Sequence, residues 1–380
     1  MSELSSDALS RLAATTYRSA LDAYERSDFV TAAGLFEQVL AAAPAHVQAR
    51  YKLGNARKEQ GAWHAAAGHY REVLRLSPQH AEAMNNLGAV YQMLERPGDA
   101  ERWYRQAIGA GPALAQPCIN LGRMLQSAGR LEEARNVYEA ALANGGDVGV
   151  FGHLCDALGN ASEAGAGPSS ARAPEAYVRA TFDAFAGDFD RHLRQDLGYR
   201  VPDRLATLLR EHCGAVSAGT LAGVRAEVLD LGCGTGLVGD ALDIVPGLLT
   251  GVDLSGQMLE AARRKGRYAA LHQADVAAWL AATGPASFDC VIAADVFIYL
   301  GELDGIFRDV VRSLRPGGVF AFSVETCEGA DYRLLPSGRY AQSGAYLERL
   351  AAQLGLRQRV REPAAIRQGV EGLLYIFQRR

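Results

Sequence analysis

Four aspartates of this chain are placed where they can bind a small molecule. Each lies in or directly after a short apolar run that is typical of a buried parallel strand; in order, they are Asp230, Asp253, Asp275 and Asp295. Ligands of open parallel sheets bind beyond the carboxyl ends of the strands. Carboxylates at that edge accept hydrogen bonds from hydroxyl and amine groups. The sequence therefore predicts one small-molecule site at the edge of a sheet.

A glycine-rich loop follows the first of these strands. Residues 227–239 read EVLDLGCGTGLVG. Glycine adopts backbone angles that other residues avoid, and it has no side chain to block a ligand. A helix is predicted from Leu237, so the loop is expected to present unpaired N–H groups at a helix N-terminus. The segment from Gly234 to Gly239 also fits G-x-G-x-x-G, the dinucleotide-binding pattern, which alone has little specificity.

The wider pattern, an acid two residues before three alternating glycines, resembles motif I of class I S-adenosylmethionine (AdoMet) methyltransferases. The acids then follow in the order of that family, and a dehydrogenase would add a second nucleotide-binding half that is not evident here. The resemblance implies that the loop lies under the methionine and ribose of AdoMet. The implied cofactor-binding residues are Asp230, Gly232, Cys233, Gly234, Gly236, Asp253, Leu254, Met258, Asp275, Val276 and Asp295.

Two of these acids also have simpler interpretations. Asp253 lies 17 residues after Gly236, close to the offset at which an acid accepts hydrogen bonds from ribose hydroxyls; the alternative is an aspartate in a surface turn. The resemblance gives Asp275 the adenine amine as its partner. Asp275 can instead cap the predicted helix that follows it and extends to Leu280. The two roles are compatible.

No catalytic residue follows from the sequence, because methyl transfer from AdoMet requires alignment and only sometimes a base. Substrate contacts are predicted from the exit of strand five and from the insertion Cys327–Tyr346. The candidates are Tyr299, Arg339 and Tyr340, with ordinary surface residues as the alternative. His192 and His272 are base candidates by residue type alone.

Nucleic acid and metal are not expected as ligands. The net charge is −4, and the segment after strand four lacks the N-P-P-Y, D-P-P-Y and Pro-Cys signatures of DNA methyltransferases. The six cysteines form no C-x-x-C pair, which argues against a zinc site and for reduced thiols. With no signal peptide or membrane-spanning apolar run recognised, the expected location is the cytoplasm.

The N-terminal half repeats with a period of 34 residues. The repeated features are a proline, a Leu-Gly pair and an aromatic residue four positions after an alanine. The glycines are Gly54, Gly88 and Gly122, and the aromatics are Phe36, Tyr70, Tyr104 and Tyr138. This pattern resembles the tetratricopeptide repeat. The small residue is predicted to let the two helices of a repeat approach closely, and the aromatic ring to fill the space beside it.

Four repeats are predicted at about 13–46, 47–80, 81–114 and 115–146, with a capping helix at 148–158. Their concave surface is expected to bind a protein or peptide partner; a structural spacer or a self-association surface are the alternatives. Polar residues on the first helices are the candidates for gripping a peptide C-terminus. They are Asn55, Lys58, Asn85, Asn86, Asn120 and Arg123.

The predicted domains are the repeat array at 13–158, a flexible Gly/Ser/Ala/Pro-rich linker at 159–174 and the methyltransferase-like domain at 175–380. The fold class is an all-α solenoid followed by a Rossmann-like α/β domain, with seven mostly parallel strands and the last antiparallel. Phe182, Phe185 and Phe189 form either a helix-packing face or a lid. The predicted function is AdoMet-dependent methylation of a small molecule or a protein. The alternatives are a non-catalytic AdoMet-binding scaffold and, less favoured, an NAD-binding oxidoreductase.

Overall fold

The structure is a computed structural model that describes residues 6–112, 114–159, 171–183, 190, 193, 198–213, 220–221, 224–242 and 248–380. Phe185, Phe189 and His192 lie outside the described residues, as does most of the predicted linker. The chain divides into two compact units, Met1–Gly152 and His153–Arg380.

The first unit is a series of antiparallel helix pairs, each packed against the next. The helices are α1 (Ser6–Glu25), α2 (Phe29–Ala42), α3 (Val47–Glu59), α4 (Trp63–Leu76), α5 (Ala81–Met93), α6 (Pro97–Ala110), α7 (Ala115–Ser127) and α8 (Leu131–Ala143). A further helix, α9 (Val148–Gly159), begins in this unit and ends in the second. The predicted solenoid is confirmed, with its first helix extended before residue 13.

The repeated glycines lie directly against the repeated aromatic rings. A Cβ atom built on Gly54 would meet Cε1 of Tyr70 at 2.7 Å, and one on Gly88 would meet Cε1 of Tyr104 at the same distance. Both tyrosines are fully buried. The two helices of these two repeats therefore approach to a distance that only glycine allows at this position.

The second unit contains a seven-stranded sheet in the order β10-β11-β7-β6-β3-β4-β5. Its strands are β3 (Val228–Leu231), β4 (Leu249–Asp253), β5 (Ala270–Gln273), β6 (Phe288–Ala293), β7 (Leu314–Glu325), β10 (Leu356–Arg367) and β11 (Val370–Arg379). Strands β3 to β7 pair in parallel, whereas β11 runs antiparallel between β7 and β10. The predicted α/β sheet with an antiparallel last strand is confirmed.

Helices cover both faces of this sheet, as expected for strands that are apolar on both sides. They are α10 (Glu175–Asp183), α11 (Val201–Cys213), α12 (Leu237–Leu242), α13 (Gly256–Lys265), α14 (Val276–Ala282), α15 (Asp304–Ser313) and α16 (Gly344–Gln353). Two separate hydrophobic clusters result, one with Leu229 and Phe320 and one with their strand neighbours Val228 and Val319. The short strand pairs β1 (Thr220–Leu221) with β2 (Val224–Arg225), and β8 (Tyr332–Leu334) with β9 (Tyr340–Gln342), lie apart from the main sheet.

The last residues of the predicted linker are part of the second unit. The Ala173 N–H donates to the Tyr299 carbonyl at 2.8 Å, and the Gly301 N–H donates to the Ala171 carbonyl at 2.8 Å. These bonds place residues 171–174 beside the short 3₁₀ helix Phe297–Tyr299. This segment thereby lines the edge of the sheet at which the acids lie.

Candidate functional site

A cavity lies at the carboxyl ends of β3, β4, β5 and β6 in the second unit. Its walls include six of the predicted cofactor-binding residues, which are Gly232, Asp253, Leu254, Asp275, Val276 and Asp295. The substrate-side candidate Tyr299 also lies on the wall, as do residues of the 171–183 segment that include Arg172 and Phe182. Sequence reasoning missed Arg172, because nothing local distinguishes it from the other residues of a linker.

Strand order fixes the order of the acids along the cavity. Because β6, β3, β4 and β5 are successive neighbours, their acids follow one another as Asp295, Asp230, Asp253 and Asp275. Glu325 ends β7, the next strand beyond Asp295. Chain segments about 20 residues apart thus converge on one edge, as parallel crossover topology requires.

Three N–H groups of the glycine loop, which was predicted to present unpaired N–H groups, are bonded within the chain. The Cys233 N–H donates to the Val252 carbonyl at 3.0 Å, and the Gly236 N–H donates to the Cys233 carbonyl at 2.9 Å. The Gly234 N–H donates to Oδ2 of Asp253 at 2.9 Å. The loop is therefore organised by its own turn and by the neighbouring strand, and these three N–H groups are not available to an anion.

Asp253 is the acid that joins the loop to the second strand. Its Oδ2 accepts from Gly234, and its Oδ1 accepts from the Ser255 N–H at 2.8 Å. These two bonds fix the orientation of the carboxylate at the cavity wall. A carboxylate has about four acceptor positions, so Asp253 is a group of the kind that accepts hydrogen bonds from ligand hydroxyls. The next helix, α13, begins with the predicted cap, since Oγ of Ser255 accepts from the Met258 N–H.

Asp275 has both a capping role and a cationic partner. Its Oδ1 accepts from the Ala278 N–H at 3.0 Å, which caps α14 as predicted. Its Oδ2 accepts from the guanidinium of Arg172. Although partial burial alone would raise the pKa of Asp275, the hydrogen bonds from Arg172 and the helix N-terminus hold it below its usual value. Asp275 is thus an ionised acceptor at the β5 end of the cavity.

The other predicted cofactor residues lie behind the cavity wall. Asp230 is fully buried, with its Oδ2 accepting from the Tyr268 hydroxyl at 2.7 Å. Met258 is fully buried and Cys233 nearly so, and the Cys233 sulfur fills the space beside Gly251. Gly234 and Gly236 shape the turn with φ of +52° and +89°. These five residues support the loop, and the structure does not place their side chains on the cavity wall.

The burial of Asp230 predicts a pH-dependent stability. Desolvation raises the pKa of Asp230 to about 7. The hydrogen bond from Tyr268 lowers this pKa, and the negative charge of Asp253 raises it further. The unfolded chain ionises this group near pH 4 while the folded chain keeps it protonated. The free energy of unfolding should therefore fall as pH rises from about 4 to about 7, by up to about 4 kcal/mol for this group, and then level off.

Replacing Asp230 by asparagine should remove that loss while retaining an acceptor for Tyr268. We expect the stability of Asp230→Asn relative to the wild type to increase steadily between pH 5 and 7, because only the wild type must bury a charge. Urea unfolding at a series of pH values, followed by near-ultraviolet circular dichroism, measures the difference. Parallel stability curves for the two proteins would show that the Asp230 carboxyl has an ordinary pKa.

Asp295 is held by a buried ionic cluster that sequence reasoning did not identify. Oδ2 of Asp295 accepts from Nη1 of Arg367 at 2.9 Å, and Arg367 also donates to Oε1 of Glu325. Arg367 is only 6% exposed. It ends β10, 72 residues after Asp295, and no local signal connects the two. The antiparallel β10–β11 hairpin brings them together.

The substrate-side candidates separate into two groups. Tyr299 lies on the cavity wall, with its ring 5.5 Å from the ring of Phe182. Arg339 hydrogen-bonds to Tyr299 and lies near Asp295. Tyr340 is fully buried, with its ring 6.1 Å from His153. This burial removes the direct substrate contact that the sequence suggested for Tyr340, because its position in β9 turns it into the core. His272 lies on the outermost strand, β5, and is exposed and away from the cavity wall.

In the first unit, four of the candidate asparagines bond to one another across neighbouring first helices. Asn86 donates to Oδ1 of Asn55 at 3.1 Å, and Asn120 donates to Oδ1 of Asn85 at 3.0 Å. Asn86 also donates to the Tyr51 hydroxyl at 3.1 Å. The polar row is therefore continuous from α3 through α5 to α7. Lys58 forms an ion pair with Glu59.

Two classes of feature are absent from the described residues. The described ranges contain no group of three or more His, Cys, Asp or Glu side chains arranged to hold a metal ion. Among the described helices, none combines the length and apolar character that crossing a membrane requires.

Each of the two units contains residues that match models of known protein families. Residues 229–322 match the model of a methyltransferase domain family. Residues 17–77, 51–115 and 118–143 match tetratricopeptide-repeat models. The second unit is thus similar to methyltransferase domains, and the first unit to tetratricopeptide-repeat arrays.

Two curated relatives and one solved structure illustrate the similarity. The chain is 32% identical over 149 residues to trans-aconitate 2-methyltransferase of Paracidovorax citrulli, covering 39% of this chain and 53% of that protein. It is 28% identical over 165 residues to the ubiquinone biosynthesis O-methyltransferase of Bordetella pertussis, covering 40% of this chain and 67% of that protein. A crystal structure of Burkholderia thailandensis 1,6-didemethyltoxoflavin-N1-methyltransferase, with bound S-adenosylhomocysteine, matches with a TM-score of 0.41 and 19% identity, covering 54% and 88%. The chain thus spans between about half and two thirds of the length of these two relatives.

Proposed function

We propose that the protein is an AdoMet-dependent methyltransferase whose cofactor site is the cavity at the sheet edge. The observation that carries the proposal is the row of carboxylates on the cavity wall, Asp275, Asp253 and Asp295, at the ends of three parallel strands. An adenine amine, two ribose hydroxyls and a cationic methionine end are all partners for such acceptors. The family match covers the same strands.

The donor set of the cavity suits AdoMet better than a dinucleotide. The charged residues on its wall are Arg172, Glu175, Asp253, Asp275 and Asp295. Four of the five are acids, and the arginine is paired with Asp275. The N–H groups of Cys233, Gly234 and Gly236 are bonded within the chain. A pyrophosphate would meet a negative wall without N–H donors from these residues, which disfavours the oxidoreductase alternative.

Different residues of the cavity would bind different parts of the cofactor. Asp253 would hold the ribose, with Leu254 and Val276 on either side of the adenine and Asp275 at its amine. Gly232 lets the glycine loop pack directly against Val296, where a Cβ atom would lie 2.6 Å from Cγ2 of Val296. AdoMet supplies an electrophilic methyl group on a sulfonium. The contribution of the chain is then orientation of that group and exclusion of water by apolar wall residues such as Phe182 and Leu300.

Thermal shift with S-adenosylhomocysteine tests this proposal. At about 100 times its dissociation constant the ligand should stabilise the native protein by roughly 2.7 kcal/mol. Asp253→Ala removes two charge-assisted hydrogen bonds to the ribose, so we expect affinity to fall by about 100-fold or more and the shift to disappear. Asp309→Ala, which removes an acid paired with Arg312 on α15, should leave the shift unchanged.

Three outcomes of that experiment decide between the candidate functions. A shift that Asp253→Ala abolishes and Asp309→Ala retains supports AdoMet binding in the cavity. A shift with NADH alone would assign the cavity to a dinucleotide. No shift with either ligand, from folded protein, would reject the proposed cofactor and leave the repeat array as the main functional surface.

The methyl acceptor and the partner of the repeats are a second part of the proposal. The two relatives are named as an O-methyltransferase and a trans-aconitate 2-methyltransferase, so oxygen of a small molecule is one candidate acceptor. The repeats support a protein or peptide partner, held along the polar row from Asn55 to Asn120. A non-catalytic scaffold is the alternative, and the retained acids of the cavity favour the enzyme over it.

A further inference from the structure

We propose that Asp295 accepts the proton of the methyl acceptor, and that the acceptor is therefore a hydroxyl or an amine and not a carboxylate. This inference rests on the proposed methyltransferase function and names the acceptor class for the same cavity. The resemblance implies that the segment after β6 borders both the methionine end of the cofactor and the substrate, and the inference assigns to Asp295 the proton of the acceptor.

Asp295 lies at the part of the sheet edge that the reactive end of the cofactor would face under the proposed function. Asp275 ends β5 and Asp253 ends β4, so the adenine and ribose lie over these two strands under the proposed function. The glycine loop follows β3, and Asp295 follows β6 on the far side of that loop. The reactive end of the cofactor therefore points toward β6. Asp295 and Tyr299 are the polar wall residues that follow that strand.

The Asp295 carboxylate is held in one orientation. Its backbone has a φ of +61°, in the left-handed region that non-glycine residues rarely adopt. The Asp295 N–H donates to Oγ of Ser323 at 2.8 Å, and Oδ2 accepts from Nη1 of Arg367 at 2.9 Å. Such strain persists only where the surroundings over-determine it, and it concentrates at functional sites. Arg367 acts here as a positioning residue, because it fixes one oxygen of the carboxylate.

The other oxygen of the carboxylate, Oδ1 of Asp295, lacks a hydrogen-bond donor among the described residues. This atom is buried, and the described part of the chain offers it no hydrogen-bond partner. A buried acceptor without a donor is costly. An O–H or N–H group of an acceptor would supply that donor, whereas an ionised carboxylate would bring a second negative charge and no proton. The unsatisfied Oδ1 of Asp295 is thus complementary to a protic acceptor.

The reaction step balances with this assignment. As the oxygen or nitrogen of the acceptor forms its bond to the methyl carbon, its proton passes to Oδ1 of Asp295. The electron pair of the broken C–S bond remains on the sulfur of the methyl donor. Arg339 lies near Asp295 and bonds to Tyr299, the other polar wall residue after β6.

A pair of cofactor analogues tests the position of Oδ1 without knowledge of the acceptor. Sinefungin carries a protonated amine at the place of the transferred methyl group, whereas S-adenosylhomocysteine carries nothing there. Titration calorimetry on the full chain gives the ratio of their affinities. We expect the wild type to bind sinefungin about 10-fold more tightly, because its amine donates to Oδ1. Asp295→Asn should remove that preference while retaining affinity for S-adenosylhomocysteine.

Asparagine suits this test because it tolerates positive φ and keeps the shape of the side chain. Asp289→Asn is the matched control: Asp289 lies on the same strand and pairs with Arg315, but at the opposite end from the cavity. It should keep the preference for sinefungin. Asp295→Gly, which relieves the backbone strain, provides a second variant without the carboxylate and should lose the preference as well.

The possible results separate this inference from the proposed function. Loss of preference in both Asp295 variants, with S-adenosylhomocysteine still bound, supports it. Equal weakening of both analogues would place Asp295 at a part that the two share and overturn it, and an unchanged ratio would overturn it too. Failure of the wild type to bind either analogue would reject the cofactor itself, and the inference with it.

Discussion

Replacing Gly88 by alanine is expected to destabilise the repeat array. A helix interior normally gains about 1 kcal/mol from this change. Here the new Cβ would lie 2.7 Å from Cε1 and 2.8 Å from Cδ1 of Tyr104. That ring is fully buried and its hydroxyl is bonded to Gln92, so it cannot swing aside. Overpacking of this kind costs about 1–3 kcal/mol, which outweighs the gain in helix propensity.

Gly68 provides the matched control in the same array. It lies within α4, is exposed, and has nothing within 4 Å of a Cβ atom built on it. Gly68→Ala should therefore raise stability by about 0.5–1 kcal/mol. Urea unfolding of the full chain, followed by far-ultraviolet circular dichroism, should show opposite signs for the two variants. Equal effects would mean that the close helix contact does not constrain residue 88.

A second substitution tests the assignment of the collision to Tyr104. Tyr104→Leu alone should destabilise the array, because it leaves a cavity beside Gly88. In combination with Gly88→Ala the cost should be smaller than the sum of the two single costs, since the methyl group enters space that the ring has vacated. A double-mutant cycle measures this coupling. Strict additivity would place the strain of Gly88→Ala at another contact.

The repeat pattern was predictable because its physical cause is local and recurs. Gly88 and Tyr104 are separated by 16 residues, and the same pair occurs at Gly54 and Tyr70. The parallel sheet was also predictable, since each strand is a short apolar run that ends at an acid. The segment RPGG at 315–318 is by residue type typical of a turn between a helix and a strand. In the structure it lies inside β7, where the pairing with β6 shifts register and Gly317 has a φ of +81°.

The ionic contacts of the site could not be predicted from the same patterns. Arg367 meets Asp295 across 72 residues, and Arg172 meets Asp275 across 103. Both arginines come from segments whose local sequence shows only a strand end or a linker. The pairing of the loop N–H groups was also missed, because it depends on the register of β3 and β4. The sequence pattern predicted three acids of the cavity wall, Asp253, Asp275 and Asp295. The burial of Asp230 behind the wall and the partners of the acids follow from tertiary structure.

Gly232→Ala is expected to abolish binding of S-adenosylhomocysteine. Gly232 has a φ of +63°, a conformation that costs an alanine about 1–2 kcal/mol. Its Cβ would also lie 2.6 Å from Cγ2 of Val296. Both residues form the cavity wall, so relief of the contact must displace the glycine loop or the segment after β6. Either movement shifts Asp253 or Asp295 relative to the other, and we expect affinity to fall by about 100-fold or more.

Gly266 separates backbone strain from the collision. It ends α13 with a φ of +66°, and a Cβ atom there would meet nothing within 4 Å. Gly266→Ala should thus cost a similar strain energy, measured by urea unfolding, and leave affinity for S-adenosylhomocysteine unchanged. Val296→Ala combined with Gly232→Ala should recover part of the affinity, because it removes the atom that the new methyl group meets. Normal binding by Gly232→Ala would show that the ligand does not depend on the contact between the glycine loop and Val296.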